Sequence, residues 1–229
     1  MPDAKNRNGV PEFLDTGFEL KSHLATYLHL SIPELERQLP KGSDVLAGLH
    51  PGSINSENVT SFYEEKVGTT HLVELASWHL GSANYIADTL RLQEMYACGH
   101  VLDFGGGIGT HTLAAAALPQ VEHVWFVDLN PHNRQFVRQR AESLGLTEKI
   151  SIHRDLLSTG DIEFDTLVCF DVLEHLADPS AQLLVFLQRL SPQATALLNW
   201  YFFKGFEGEY PFHFDDDELV AKFFQTLQS

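Results

Sequence analysis

The stretch from His100 to Asp128 constrains the fold of this chain more than any other. His100–Phe104 is a short apolar run and predicts a strand. Gly105-Gly106-Gly107-Ile108-Gly109 then predicts a tight turn, Thr110–Leu118 a helix, and Val121–Leu129 a second strand that brings Asp128 to its end. Three requirements explain the glycines: the turn is tight, the backbone must approach a ligand closely, and the helix must pack close to the strand. The helix start adds free N–H groups and positive dipole character. A carboxylate at the end of the second strand faces the ribose hydroxyls of a bound nucleoside. A glycine cluster alone is a plain turn. Strand, turn, helix, strand and acid in that order make a nucleotide site of the doubly wound α/β kind.

Downstream the alternation continues. Pro131–Leu144 reads as a helix with Asn130 as cap, Lys149–His153 as a third strand and Asp165–Phe170 as a fourth, dense in apolar residues and hence central. Ala177–Leu190 reads as a helix, Thr195–Phe202 as a fifth strand and Asp215–Gln228 as a closing helix, with Phe214 and Asp215 as staple and cap. The fold class is therefore α/β, a parallel sheet with helices on both faces. Upstream, residues 1–15 read as a loose polar arm. Apolar residues recur at helical spacing from Thr16 to Leu39, with Ser31 as a cap ahead of Pro33 and Glu34. Pro40 to Asn58, with Gly42, Gly48, Pro51 and Gly52, predicts loops or short turns, and Ser56–Val67 and Thr70–Tyr96 predict two helices. Residues 1–95 thus form a helical lid or dimerisation region, and 96–229 a Rossmann-like domain.

The 229 residues, 44% hydrophobic, suffice for one sizeable core. The formal charge of −16 repels phosphate backbones, so nucleic acid is not an expected partner. Arg134, Arg138 and Arg140 alternate with apolar residues and read as a solvated helix face. No apolar run is long enough to span a membrane, no secretory signal follows Met1, and Cys98 and Cys169 lie far apart. The expectation is a cytoplasmic protein with neither membrane nor disulfide framework.

The dinucleotide fingerprint asks for a glycine at its sixth position. That position is Thr110 counting from Gly105, or Thr112 counting from Gly107. No Gly-Lys-Ser/Thr is present, which excludes a P-loop. The residues resemble instead the class I S-adenosylmethionine (SAM)-dependent methyltransferases. Asp103, Gly105, Gly107 and Gly109 match that family's first motif, and Asp128 its ribose acid. Asp155, followed by Leu156, stands where an acid holds the adenine amino group. Asp171-Val172-Leu173-Glu174-His175-Leu176 matches the segment after the fourth strand and looks most like the branch acting on small molecules. The resemblance covers about residues 85–215. It implies SAM as cofactor, strand order 3-2-1-4-5, cofactor contacts from Asp103, Gly105, Gly107, Gly109, Asp128, Leu129, Asp155, Leu156 and Asp171, and methyl donation to a small-molecule acceptor. The chain departs from the pattern after the fifth strand. Asp215–Gln228 reads as a helix where the family adds two more strands, which leaves a C-terminally shortened sheet. A homodimer, a partner subunit or the N-terminal region would then cover the fifth strand.

Methyl transfer needs an aligned nucleophile, exclusion of water and, for some acceptors, a proton acceptor. His175, or His213 from the late loop, is the candidate base. The competing reading makes Glu174 and His175 cap and surface residues at a helix start. Tyr201 and Tyr210, from an aromatic run that includes Trp200, Phe202 and Phe203, are candidates for the pocket wall, with Trp200 assigned to the strand core. Tyr63 and Tyr85 are candidate lid residues reaching the cofactor. No metal is implied, since Asp215-Asp216-Asp217-Glu218 reads as an acidic helix start. Two other functions fit the same cofactor. One is cyclisation of SAM's own aminocarboxypropyl group with release of methylthioadenosine. The other is a non-catalytic SAM-binding or scaffold subunit.

Overall fold

Successive side chains of a strand face opposite ways, and the apolar pairs of the central strands build two cores on that rule. The structure is a computed structural model; it describes residues 9–229 apart from Pro51, Ser53 and Glu209. Five strands, β1 (Gly99–Phe104), β2 (Val121–Val127), β3 (Ile150–His153), β4 (Phe164–Cys169) and β5 (Leu190–Leu198), pair in parallel in the order β3-β2-β1-β4-β5. This is the Rossmann-like order expected, and among the described residues the sheet has five strands. Val101 of β1 and Val168 of β4 enter one core with Leu113, Val137 and Ala141. Their neighbours Leu102 and Leu167 enter the other, with Phe186 and Phe223. The helices behind these side chains are α8 (Thr110–Ala117) and α9 (Pro131–Leu144) on the first face, α10 (Pro179–Leu187) and α11 (Asp217–Gln228) on the second.

Among the described residues seven α-helices precede the sheet: α1 (Val10–Thr16), α2 (Leu20–Leu28), α3 (Ile32–Gln38), α4 (Gly42–Ala47), the short α5 (Val59–Ser61), α6 (Thr70–Gly81) and α7 (Ala83–Tyr96). Ser31 and Glu34 form the reciprocal capping box that starts α3. The cores of this region continue into the sheet layer. Leu24, Leu35 and Leu72 pack with Ile108 and Phe136, and Phe13, Ile86 and Leu90 pack with Ala114. Arg140 fixes the same junction. Fully buried on α9, it donates to the carbonyls of Ile108, Gly17 and Phe18 at 2.8, 3.1 and 3.1 Å. The expected solvated face is therefore corrected at Arg140, because the N-terminal helices cover it.

Other boundaries move for local reasons. The described part of the expected polar arm is helical: Pro11 suits a first helical turn, and Val10 and Phe13 are buried. Residues 1–8 of that arm, and Pro51 of the expected loop, lie outside the described residues. Thr70–Tyr96 is two helices, broken at Ser82. Within Pro40–Asn58, α4 forms because Leu46 finds a core with Phe62 and Val67. β5 begins at Leu190 and ends at Leu198, so Trp200 lies past the strand and packs on Phe223 and Phe224. Asp216, not Asp215, caps α11, accepting from the N–H groups of Glu218 and Leu219. β5 is the sheet edge. α7 lies against it, and Pro192 within it removes one ladder donor.

Candidate functional site

In an open parallel sheet, ligands sit beyond the carboxyl ends of the strands where the order reverses. Here that point lies between β1 and β4, and most of the expected site residues gather there. Register sets the level: Phe104 pairs with Val127, so the glycine turn and Asp128 leave the sheet side by side. The amides of Gly105 and Gly106 both point at the Val127 carbonyl. Gly107 and Gly109 hold φ of 55° and 77°, the region that disfavours a Cβ. A Cβ at Gly109 would stand 2.6 Å from Val137, which shows how closely α9 packs on the turn.

Asp128 is buried, and burial lifts its pKa to about 6 against the pull of its donors. Those donors are the amides of Gly107 (3.0 Å) and Asn130 (2.8 Å) and the side chain of Asn133 (3.2 Å). The backbone carbonyls of Asp128 and Leu129 accept from Arg134 at 2.7 Å. Asp103 lies behind the turn, holding the hydroxyl of Thr112, and burial raises its pKa to about 7. Asp155 stands apart at the end of β3. One carboxylate oxygen caps the 3-10 turn Leu156–Thr159 and the other pairs with Arg154 at 2.8 Å, while Leu156 is buried. Arg154 also grips Glu64 through two contacts of 2.5 and 2.6 Å.

Beyond β4 the chain makes a strained turn. Asp171 sits at φ 56°, where a non-glycine residue costs of order 1 kcal/mol or more. Asn199, one residue past β5, holds that conformation: its side-chain oxygen takes the Asp171 amide at 2.5 Å and its amide group donates to the Asp171 carboxylate at 2.7 Å. Tyr85 of α7 donates to the same carboxylate at 3.0 Å. Burial raises the pKa of Asp171 and of the Tyr85 phenol. The 3-10 turn Leu173–His175 follows. Glu174 is 1% exposed, which corrects its reading as a surface residue; burial carries its pKa to about 7. Burial also pushes His175 down to about 3, so its imidazole is neutral.

The N-terminal region roofs this chamber. Phe62–Lys66 winds as a π-helical turn and sends the Tyr63 hydroxyl to His175 Nδ1 at 3.0 Å. His71 packs on Tyr63 and contacts the Asn133 side chain at 3.2 Å. Leu75 lies over the turn: a Cβ on Gly107 would be 3.0 Å from its Cδ1. Glu74 beside it has a pKa raised to about 7 by burial. On the other side His213 meets His175 with ring centroids 4.7 Å apart. Tyr210 stacks on His213 at 5.1 Å and Tyr201 meets it edge-on at 5.9 Å; both tyrosines are half exposed. Tyr63, Tyr85, Asp171, His175, Tyr201 and Tyr210 therefore converge, and the glycine turn with Asp128 adjoins them. Sequence reasoning missed Asn199, His71, Glu74 and Leu75. Only Asn199 carried a signal, as an amide side chain inside the apolar run that the spacing assigns to the fifth strand.

These residues suit an adenosyl sulfonium cofactor. Asp128 offers a buried carboxylate for a diol, the turn offers bare backbone, and Asp171 and Glu174 offer negative charge. Thr110 Oγ1, Asn133 Oδ1 and Glu174 Oε2 are buried without a hydrogen-bond partner in the chain. Among the described residues no helix is long and apolar enough to cross a membrane.

A family model described as a methyltransferase domain matches residues 78–202, more than half of the chain. An uncharacterized protein of Synechococcus sp. is 30% identical over 120 residues, which are 50% of this chain and 28% of that protein; the chain thus spans little more than a quarter of this relative's length. Two solved structures are similar: YcgJ of Bacillus subtilis (TM-score 0.43, 24% identity, 48% of this chain and 49% of that one) and an S-adenosylmethionine-dependent methyltransferase of Clostridium acetobutylicum (TM-score 0.41, 17% identity, 51% and 48%). With its glycine turn, the Asp128 carboxylate after β2 and the strand order in place, the chain belongs to the methyltransferase domain family, in the class I branch whose cofactor is SAM.

Proposed function

We propose that this chain transfers the methyl group of SAM to a small-molecule acceptor. One observation carries the reading: a glycine turn and a buried carboxylate at the switch point stand beside a cluster of Tyr63, Asp171, Glu174, His175 and His213 that the N-terminal helices cover. When bound, SAM supplies a methyl carbon already activated by a sulfonium. Gly105, Gly107 and Gly109 give it backbone at close range, and Asp128 and Leu129 the ribose and the adenine edge. Asp155 and Leu156 flank the adenine end. Asp171, fixed by Asn199 and Tyr85, holds the cationic methionine end. Asp103 keeps the turn in shape through Thr112. The roof of Tyr63, His71 and Leu75 excludes water, which strengthens each of these contacts. His175, neutral over the physiological range, lines the acceptor's side with Tyr201 and Tyr210. A roofed, acidic chamber suits a small acceptor and disfavours a polynucleotide. The exposed edge of β5 suits a second subunit.

Calorimetric titration with SAM, S-adenosylhomocysteine and NAD tests the cofactor. Both adenosyl ligands are expected to bind and NAD to fail; failure of both adenosyl ligands would sink the reading. The tight roof, with Leu75 against Gly107, also favours a reaction on SAM alone. Incubation with SAM and no acceptor decides: release of methylthioadenosine establishes cyclisation, and its absence leaves methyl transfer.

A further inference from the structure

Opposite the cofactor turn, three side chains meet that neither the family resemblance nor the spacing of acidic residues along the chain singles out as a metal site. One oxygen of Glu174 and one ring nitrogen each of His175 and His213 lie within 4.8 Å of one another. Two features distinguish this from chance proximity. Glu174 Oε2 is buried and has no hydrogen-bond partner in the chain, a cost of about 1–3 kcal/mol or more for a charged group unless a ligand meets it. Both imidazoles are also held by hydrogen bonds at Nδ1. His213 Nδ1 lies 3.0 Å from the Phe203 carbonyl and His175 Nδ1 lies 3.3 Å from that of Phe212. The Phe203 carbonyl can only accept, so His213 donates to it through Nδ1, and the Tyr63 hydroxyl is the nearer partner of His175 Nδ1, at 3.0 Å. Metal-bound histidines are oriented in this way. The backbone holds the group together, because the Phe214 amide donates to the Glu174 carbonyl at 2.7 Å and thereby fixes His213 beside Glu174.

We propose that Glu174, His175 and His213 bind one divalent first-row transition ion, such as Zn²⁺, Mn²⁺ or Co²⁺. Two imidazoles and one carboxylate suit those ions better than Mg²⁺ or Ca²⁺, which take oxygen ligands. Three protein ligands leave positions open, as in catalytic sites. An acceptor hydroxyl bound there is easier to ionise, and His175 then acts as a ligand and not as the base. The ion site itself does not rest on methyl transfer, since it is built from chain residues alone.

The test uses untagged, chelator-treated protein without SAM, titrated with Co²⁺ and followed by its visible d–d absorption and by calorimetry. The expected result is one ion per chain. Glu174→Gln and His213→Ala each weaken binding by at least ~10–100-fold, while Glu36→Gln, on the exposed face of α3, leaves it unchanged. His213 stands on a half-buried loop, and circular dichroism of its variant verifies the fold. Absence of saturable binding, or equal affinity in wild type and both variants, overturns the site. Co²⁺ binding without SAM binding would instead refute the cofactor reading and leave the ion site standing.

Discussion

Asp103 accepts from the hydroxyl and the backbone N–H of Thr112, both neutral donors, and burial sets its pKa near 7 against an ordinary 3.8. The folded protein therefore holds a proton that the unfolded chain releases. The associated stability is complete below about pH 4 and is lost as pH rises to about 7. Asp103→Asn removes this dependence. Denaturant melts from pH 5 to pH 8 should show wild type falling relative to the variant by a few kcal/mol; a constant difference would refute it. Asp128→Asn keeps the shape of the turn but loses the charge. It is expected to weaken SAM binding by about tenfold or more in calorimetry, the cost of a charged hydrogen bond. Asp128 was legible in the sequence because strand, turn and acid are close in the chain. The role of Asn199 was not, since it acts on Asp171 across two adjacent strands. The grouping of His213 with Glu174 was hidden likewise: 38 intervening residues carry no periodic mark of it.

At the scale of elements, strands and helices flanking the glycine turn could be read to within a few residues, since local periodicity and caps define them. The N-terminal helices were harder. The break at Ser82 and the π-helical turn at Phe62–Lys66 answer to packing against the sheet layer, which no local pattern encodes. Arg140 makes that dependence measurable. Desolvation brings its pKa down to about 9, and it ties the α1–α2 connection to the end of the glycine turn. Arg140→Met leaves three carbonyls without their donor and should lower unfolding stability by about 2–4 kcal/mol. A denaturant midpoint unchanged from wild type would show that the tie is not needed.

At the scale of the molecule, the roof and the sheet layer share cores through α6, while the π-helical turn reaches the sheet layer by side-chain contacts, Tyr63 with His175 and Glu64 with Arg154. The Glu64–Arg154 pair is surface-exposed and worth at most about 1 kcal/mol. Hydrogen exchange should therefore find the amides of residues 59–66 faster than those of α6 without ligand and slowed by S-adenosylhomocysteine, while α6, α8 and α9 change little. Protection limited to residues 105–110 would argue against a closing roof. The π-helical turn has a further consequence, in evolutionary terms. A π turn holds one residue more than an α turn, and one residue of α-helix is a rotation of about 100°. Loss of a single codon within 62–66 would carry Tyr63 away from His175 and Glu64 away from Arg154 together. The roof's phenol and its outer latch therefore depend on one and the same extra residue.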